Sequence, residues 1–241
     1  MYLGDGEYLI VSMCLRTPYD FKKIDSLMKE IFFNHKIDRI EATYFDILPQ
    51  EANYYKIWSG EFKECDLKLF SINMLEDKFL SLLDLEFDNK IVARLQIEFL
   101  DDTWYEISMI FNFTKLIDEE KSIELKKYNA KFVEDISVIM FKSVKPLLGK
   151  ICVENSFSSI KAIINKEEFL PIDKAFYSNT ILSDCPEFTN MLICKARYVK
   201  EIRDSGVYFR NGEVDDYNLS TMSTSSYSKL FSKVEEKLRG I

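Results

Sequence analysis

Two neighbouring stretches of the chain alternate between apolar and polar residues. Every odd-numbered position of 91–99 and of 105–113 is apolar, and most of the even-numbered positions between them are polar. Period-two alternation is typical of antiparallel strands that bury one face. The pattern therefore predicts a β-hairpin, with strands over 90–100 and 103–113, whose odd-numbered side chains are buried.

The shared parity of the two apolar sets also predicts the register of this hairpin. Because both sets must point to the same face, odd-numbered residues lie opposite odd-numbered residues, and 101–103 forms a three-residue connection. On the outer face, this register places Glu98 opposite Glu106 and Leu100 opposite Trp104.

Apolar residues at helical spacing and short β-branched runs predict the remaining elements. Helices are predicted from a start at Thr17-Pro18, over 75–85, over 116–145 and over 227–238. Strands are predicted over 8–16, 37–45, 67–72, 151–154, 159–164, 191–199 and 207–209. Asn211-Gly212 predicts a hairpin turn over 210–213.

The order of these elements predicts an α+β fold. It comprises an N-terminal β-α-β unit, the hairpin, one long central helix and a C-terminal helix, with mainly antiparallel sheet. We expect an N-terminal α+β domain over 1–146. We expect a C-terminal α+β portion over 147–241 to pack on it, forming one globular unit.

The composition is that of a globular protein, with 241 residues, 47% hydrophobic and 30% charged. No stretch reaches the roughly 18 apolar residues that a membrane-spanning helix needs, and the first residues do not resemble a signal peptide. The five cysteines are odd in number and contain no Cys-x-x-Cys spacing. These features predict a cytoplasmic protein without a disulfide framework, a zinc site or a membrane partner.

Charge and glycine content narrow the classes of ligand. The net charge is −8, and the basic residues are interspersed with acidic ones. Nucleic-acid binding requires concentrated basic surface, so we expect no nucleic-acid partner, whereas a basic protein would suit an acidic surface. Seven glycines and no phosphate-binding glycine motif predict no nucleotide cofactor.

Catalytic motifs are not found in the sequence. The single histidine, His35, lies at a predicted helix end, where an imidazolium is favourable. There is no Gly-x-Ser-x-Gly elbow and no cysteine with a catalytic signature. We therefore predict no catalytic, cofactor-binding or metal-binding residues.

The outer face of the hairpin is the predicted partner-binding surface, formed by Glu98, Leu100, Trp104 and Glu106. Like charges opposite each other are unfavourable, so a compensating interaction is expected. Four alternatives remain for the role of this carboxylate pair. They are screening by nearby basic residues, a general acid/base pair, a hard-cation site, and an anchor for a partner's Lys or Arg. We favour the partner, provided that no second layer covers Trp104.

Two other acidic segments invite functional interpretations. Glu213 with Asp215-Asp216 follows the predicted turn and is interpreted as a solvated loop, since it lacks calcium-hand spacing. The segment Asp66-Leu67-Lys68, with Glu41 or Asp46 upstream, fits the pattern of restriction-type metal-dependent nucleases.

These features favour a non-catalytic protein-binding module. Its general profile is similar to that of the bacterial immunity proteins that neutralise toxins, which are often small, acidic, cytosolic α+β domains. No motif carries this likeness, but it implies a basic toxin domain as the partner. The alternative is a carboxylate- and metal-dependent hydrolase or nuclease, and a third hypothesis is a homodimer paired through an exposed hairpin edge.

Overall fold

The structure is a computed structural model, and it describes most of the chain. The described residues are 3, 6–18, 20–46, 53–60, 80–100, 103–118, 120–154, 163, 170–217 and 228–240. Within them, ten strands and six helices are defined, which confirms the predicted α+β class with a long central helix and a C-terminal helix.

The strands are β1 (Tyr8–Arg16), β2 (Ile37–Asp46), β3 (Asn53–Gly60), β4 (Leu80–Phe87), β5 (Val92–Phe99), β6 (Trp104–Asn112), β7 (Leu148–Val153), β8 (Ala175–Ser178), β9 (Tyr198–Ile202) and β10 (Gly206–Arg210). The helices are α1 (Phe21–Asn34), α2 (Phe113–Ile117), α3 (Ile123–Val144), α4 (Asn179–Asp184), α5 (Pro186–Lys195) and α6 (Ser228–Gly240).

All ten strands belong to one sheet, in which every neighbouring pair is antiparallel. The order is β3-β2-β4-β5-β6-β1-β7-β8-β10-β9. β7 lies between β1 and β8 and joins the strands of the predicted portions 1–146 and 147–241 in the same sheet.

Each face of the sheet contributes to its own hydrophobic core. Odd-numbered residues 9–15 of β1, 93–97 of β5 and 105–111 of β6 face α1 and α3, and they form the first core with residues such as Leu27, Ile136 and Phe141. The opposite face carries residues such as Cys14, Leu148 and Tyr177. These pack with apolar residues of α4, α5 and α6 in the second core, so the sheet lies between two helical layers.

The hairpin and its register are confirmed. Glu98 is paired with Glu106, and the N–H of Leu100 donates to the carbonyl of Trp104 at 3.0 Å. The hairpin is internal, however, because β5 also pairs with β4 and β6 with β1. The expectation of an exposed hairpin edge is therefore wrong, and β3 and β9 are the outermost strands of the described sheet.

The two longest predicted helices begin later than the sequence suggested. Asp20, rather than Thr17, caps α1, since its carboxylate accepts from the N–H of Lys22 at 3.0 Å. The predicted helix 116–145 is divided into α2 and α3, and the hydroxyl of Ser122 caps α3 by accepting from the N–H of Leu125 at 3.2 Å. A local cap therefore decided both start points.

Three further predictions are wrong in part. Residues 80–85 of the predicted helix 75–85 belong to strand β4. Residues 191–195 of the predicted strand 191–199 belong to α5. Asn211-Gly212 does not join two strands of the described sheet, and the tight β-connection lies instead at 203–205, between β9 and β10. In the first two segments, tertiary pairing and side-chain packing outweigh local pattern.

Other predictions fall on positions that are not described. The predicted strand 67–72 and the segment Asp66-Leu67-Lys68 lie outside the described residues. So does the predicted strand 159–164, apart from the buried Ile163. Among the helices of the described residues, none combines the length and the apolar character that a membrane crossing requires.

Candidate functional site

The structure places the four predicted partner-binding residues at one end of β5 and β6, with very different exposure. Glu98 is exposed and Leu100 is half-buried, whereas Trp104 and Glu106 expose only 4% and 3% of their surface. Trp104 and Leu100 contact the second core, so a second layer covers this part of the outer face. The sequence left open whether a second layer covers Trp104, and the structure shows that it does.

Burial also changes which groups compensate the negative charge of the Glu106 carboxylate. Its carboxylate accepts a 2.7 Å hydrogen bond from the hydroxyl of Ser12, on the neighbouring strand β1. The Glu98 carboxylate accepts from the side-chain amide of Gln96 at 3.2 Å. Each of the two opposed carboxylates thus accepts a hydrogen bond from a side chain of the same chain. The partner-binding role of this surface stays a prediction.

His35 lies where the sequence placed it, at the C-terminal end of α1. Its backbone N–H donates to the carbonyl of Ile31 at 2.8 Å, and its ring makes edge contacts with Phe87 and Phe132. Burial lowers the pKa of His35, although the carboxylates of Asp135 and Asp88 oppose this shift. Through these contacts, His35 joins the end of α1 to the first core.

A concave site opens elsewhere, where four distant segments of the chain meet. We call it the acidic cleft, and its volume is about 610 Å³. Its carboxylates come from Glu7, Glu213, Asp215 and Asp216, and its apolar walls from Phe113, Ile117, Val153 and Tyr217. Phe113 and Tyr217 meet edge to face with ring centroids 5.5 Å apart, which fixes one wall.

Lys174 holds the acidic wall in place from behind. Its ammonium donates to the backbone carbonyls of Glu213 and Val214, at 3.0 Å each, and lies 4.6 Å from the ring centroid of Tyr217. Only 3% of Lys174 is exposed. Burial lowers the pKa of Lys174 to about 8, against the opposing charge of Asp173.

A second, partly buried cation fixes the beginning of the same loop. Arg210 donates to the carbonyl of Gly212 at 2.6 Å and forms a 3.1 Å ion pair with the buried carboxylate of Glu134 on α3. Burial would raise the pKa of Glu134, but the hydrogen bond from Lys131 and the charges of Lys131 and Arg210 hold it below its ordinary value. The acidic loop is therefore anchored to both the sheet and α3.

The chemistry of the cleft suits a cation with an apolar stem. Carboxylates beside aromatic and aliphatic walls can accept hydrogen bonds from an ammonium or guanidinium while the walls contact its methylenes. One basic group already reaches the rim, since Arg197 pairs with Glu213 at 2.7 Å. Across the described positions, no group of three or more His, Cys, Asp or Glu residues is arranged to hold a metal ion.

Sequence reasoning found the carboxylates of this loop but not the cleft. Glu213, Asp215 and Asp216 are interpreted from the sequence as a solvated loop, whereas the structure makes them one wall of a concave site. The aromatic Tyr217 directly after them was the available local signal. The opposite walls, with Glu7 and Phe113, are distant in sequence and could be recognised only from the tertiary structure.

Together, the fold and this site define an α+β protein with a ten-stranded antiparallel sheet between two helical layers and an acidic, aromatic-walled cleft. Comparison with protein-family models, curated proteins and solved structures found no match to this chain.

Proposed function

We propose that the chain is a non-catalytic protein-binding module that holds a basic side chain of its partner in the acidic cleft. The single observation that carries the proposal is the convergence of four carboxylates and four apolar side chains around one concavity. The net charge of −8 would in addition favour the approach of a basic partner over a long range.

The cleft is suited to binding because its shape is set before any ligand arrives. The backbone of the acidic loop is held by Lys174 and Arg210, and Tyr217 is held by Phe113. A site that is ordered in advance loses less entropy when it binds. An arginine or lysine of the partner would then meet carboxylates that line one concavity.

The test reverses charge on two opposite walls of the cleft. In Glu7→Lys with Asp215→Lys, we expect binding of short, end-capped arginine- and lysine-containing peptides to weaken at least about tenfold, or about 1.4 kcal/mol. Isothermal titration calorimetry at low salt provides the measurement. The same peptides with citrulline in place of arginine and acetyl-lysine in place of lysine should not bind the unaltered protein, because they lack the charge.

A matched control separates the cleft from net charge. Asp88→Lys with Glu236→Lys makes the same charge change at two exposed residues away from the cleft, and binding should persist. Equal weakening in both double variants would show that only overall charge matters. Unchanged binding in the cleft variant would contradict the proposal.

Within this class, the specific partner that we propose is a basic toxin domain, as for a bacterial immunity protein. Two features support this partner: the net negative charge of the chain and the carboxylates of the cleft, both opposite in sign to the charge of a basic domain. If a toxin gene lies beside the gene for this chain, its basic domain provides the test. Co-expression of the unaltered chain should restore growth of cells that produce the toxin domain, and the cleft variant should not.

The alternative, a carboxylate- and metal-dependent hydrolase or nuclease, stays a prediction. Its candidate segment at residues 66–68 lies outside the described residues. A metal that binds the native state raises the melting temperature by mass action. A rise with millimolar Mg²⁺ or Mn²⁺ that is lost in Asp66→Asn would favour this alternative.

A further inference from the structure

Strand β9 forms one edge of the sheet, and its outer side faces no other strand of the described chain. The N–H of Ser205 donates to the carbonyl of Ile202, so the backbone of Ile202 is directed toward the β10 side. Because alternate residues of an antiparallel strand point their backbone groups in opposite directions, Val199 and Glu201 present theirs outward. Among the described residues, no strand pairs with the donors and acceptors on this side of β9, which are therefore suited to pairing with another strand.

The side chains along this edge leave it open to pairing. Val199 is 41% exposed, so an apolar side chain lies on this edge strand. Prolines and bulges commonly prevent edge pairing. β9 contains no proline, and its register with β10 shows no bulge. Within the described part of the chain, Glu201 and Lys200 make no ion pair.

We infer that β9 pairs antiparallel with β9 of a second copy of this chain, about a two-fold axis centred on Val199. A two-fold axis perpendicular to the sheet preserves its faces, so residues of the same parity must pair. Within β9, the nearest such registers are centred on Val199, on Lys200 or on Glu201. The charges of the strand distinguish these three.

Of these three registers, only the one centred on Val199 brings opposite charges together. It places Arg197 opposite Glu201 twice, Tyr198 opposite Lys200 twice, and Val199 opposite its own copy. The register centred on Lys200 places two ammonium groups opposite each other, and the one centred on Glu201 places two carboxylates opposite each other. Opposite charges across strands are favourable and like charges are not, so the sequence complements itself in one register.

The strand pairing is independent of the proposed cleft ligand, although Arg197 also pairs with Glu213 at the rim of the cleft. β9 has five residues, so the paired edges bury a small area. Small interfaces are typical of weak association. The expected dimer should therefore form at high protein concentration and dissociate on dilution.

Sedimentation equilibrium tests the association and its charge pattern. The mass should rise from 28.4 kDa toward twice that value with concentration. Arg197→Glu should weaken association about tenfold or more, and Arg197→Glu combined with Glu201→Arg should restore it. Arg203→Glu, the same charge change in the β9–β10 turn, should have no effect. A monomer at every concentration, or a double variant that stays monomeric, would overturn the inference.

Disulfide cross-linking tests the register itself. With Cys194 replaced by serine, Val199→Cys should oxidise to a covalent dimer, because the two copies of this residue face each other within disulfide range. Lys200→Cys and Glu201→Cys should cross-link much more slowly. Fast cross-linking through either of these residues and not through Val199→Cys would establish another register and overturn this one.

Discussion

At the scale of single residues, Lys174 has an unusual combination of burial and charge. It lies beneath the acidic loop, where two backbone carbonyls accept hydrogen bonds from its ammonium. Its environment still disfavours the proton, since burial lowers its pKa to about 8 from an ordinary 10.5. The loop geometry is thus supported by a cation that the fold holds at a cost.

This depressed pKa predicts a pH dependence of stability with a definite sign. Between about pH 8 and pH 10.5 the unfolded chain binds more protons at Lys174 than the folded chain, so unfolding becomes less favourable as pH rises. Lys174 should add at most about 1.4 kcal/mol per pH unit to the free energy of unfolding in this window. Below pH 8 both states hold the proton, and this contribution should be constant.

The measurement is urea denaturation at several pH values, for the unaltered chain and for Lys174→Met. The difference in the free energy of unfolding between the two should grow in favour of the unaltered chain from pH 8 to pH 10. Lys142→Met replaces an exposed lysine and should show a difference that does not change with pH in this way. A flat difference for Lys174→Met would show that its proton is not destabilised by folding.

At the scale of elements, the pairing of β10 with β8 depends on a single glycine. Gly206 begins β10, and an added Cβ atom there would lie 2.0 Å from the carbonyl oxygen of Tyr177 on β8. This neighbour is backbone held in the sheet, since Gly206 is paired with Ser178. The close approach of β10 to β8 therefore requires a residue without a side chain.

Gly206→Ala should destabilise the protein by about 2–4 kcal/mol, because either strand must move to relieve the contact. The urea midpoint of unfolding should fall while the slope of the transition stays the same. Gly240→Ala adds the same methyl group where no atom lies within 4 Å, and its effect should stay within about 0.5 kcal/mol. Equal stability of the two variants would show that β8 and β10 are not held this closely.

At the scale of the whole molecule, β7 decides how the chain is organised. It follows the long helix α3 in sequence, but in the sheet it pairs with the first strand, β1, and with β8. The strands of both predicted portions thus share one ladder of hydrogen bonds. Each face of that ladder also contributes to a core that includes residues from both sides of position 147.

We therefore expect the full chain to unfold in one cooperative step. Circular dichroism reports on the whole sheet and tryptophan fluorescence on the regions of Trp58 in β3 and of the buried Trp104, and the two urea transitions should coincide. Two separated transitions would show that residues before and after position 147 form independent units.

The sequence alone determined those features that depend on local pattern. Period-two alternation predicted β5, β6 and the Glu98–Glu106 register, because parity leaves few ways to bury one face of a hairpin. The run 8–16 predicted β1 with the bounds that the structure gives. Helical spacing predicted most of α3 and α6, while the start of α3 depended on the capping contact of Ser122.

Only the tertiary structure decided which of these surfaces meet solvent. The sequence could not show that Trp104 packs in one core with residues of α4, α5 and α6, because contacts between distant segments leave no periodic trace in either segment. The same reason hid the acidic cleft, whose walls join Glu7, Phe113, Val153 and Tyr217 across most of the chain. Local pattern fixes which face of a strand is apolar, but the long-range order of strands decides what lies against each face.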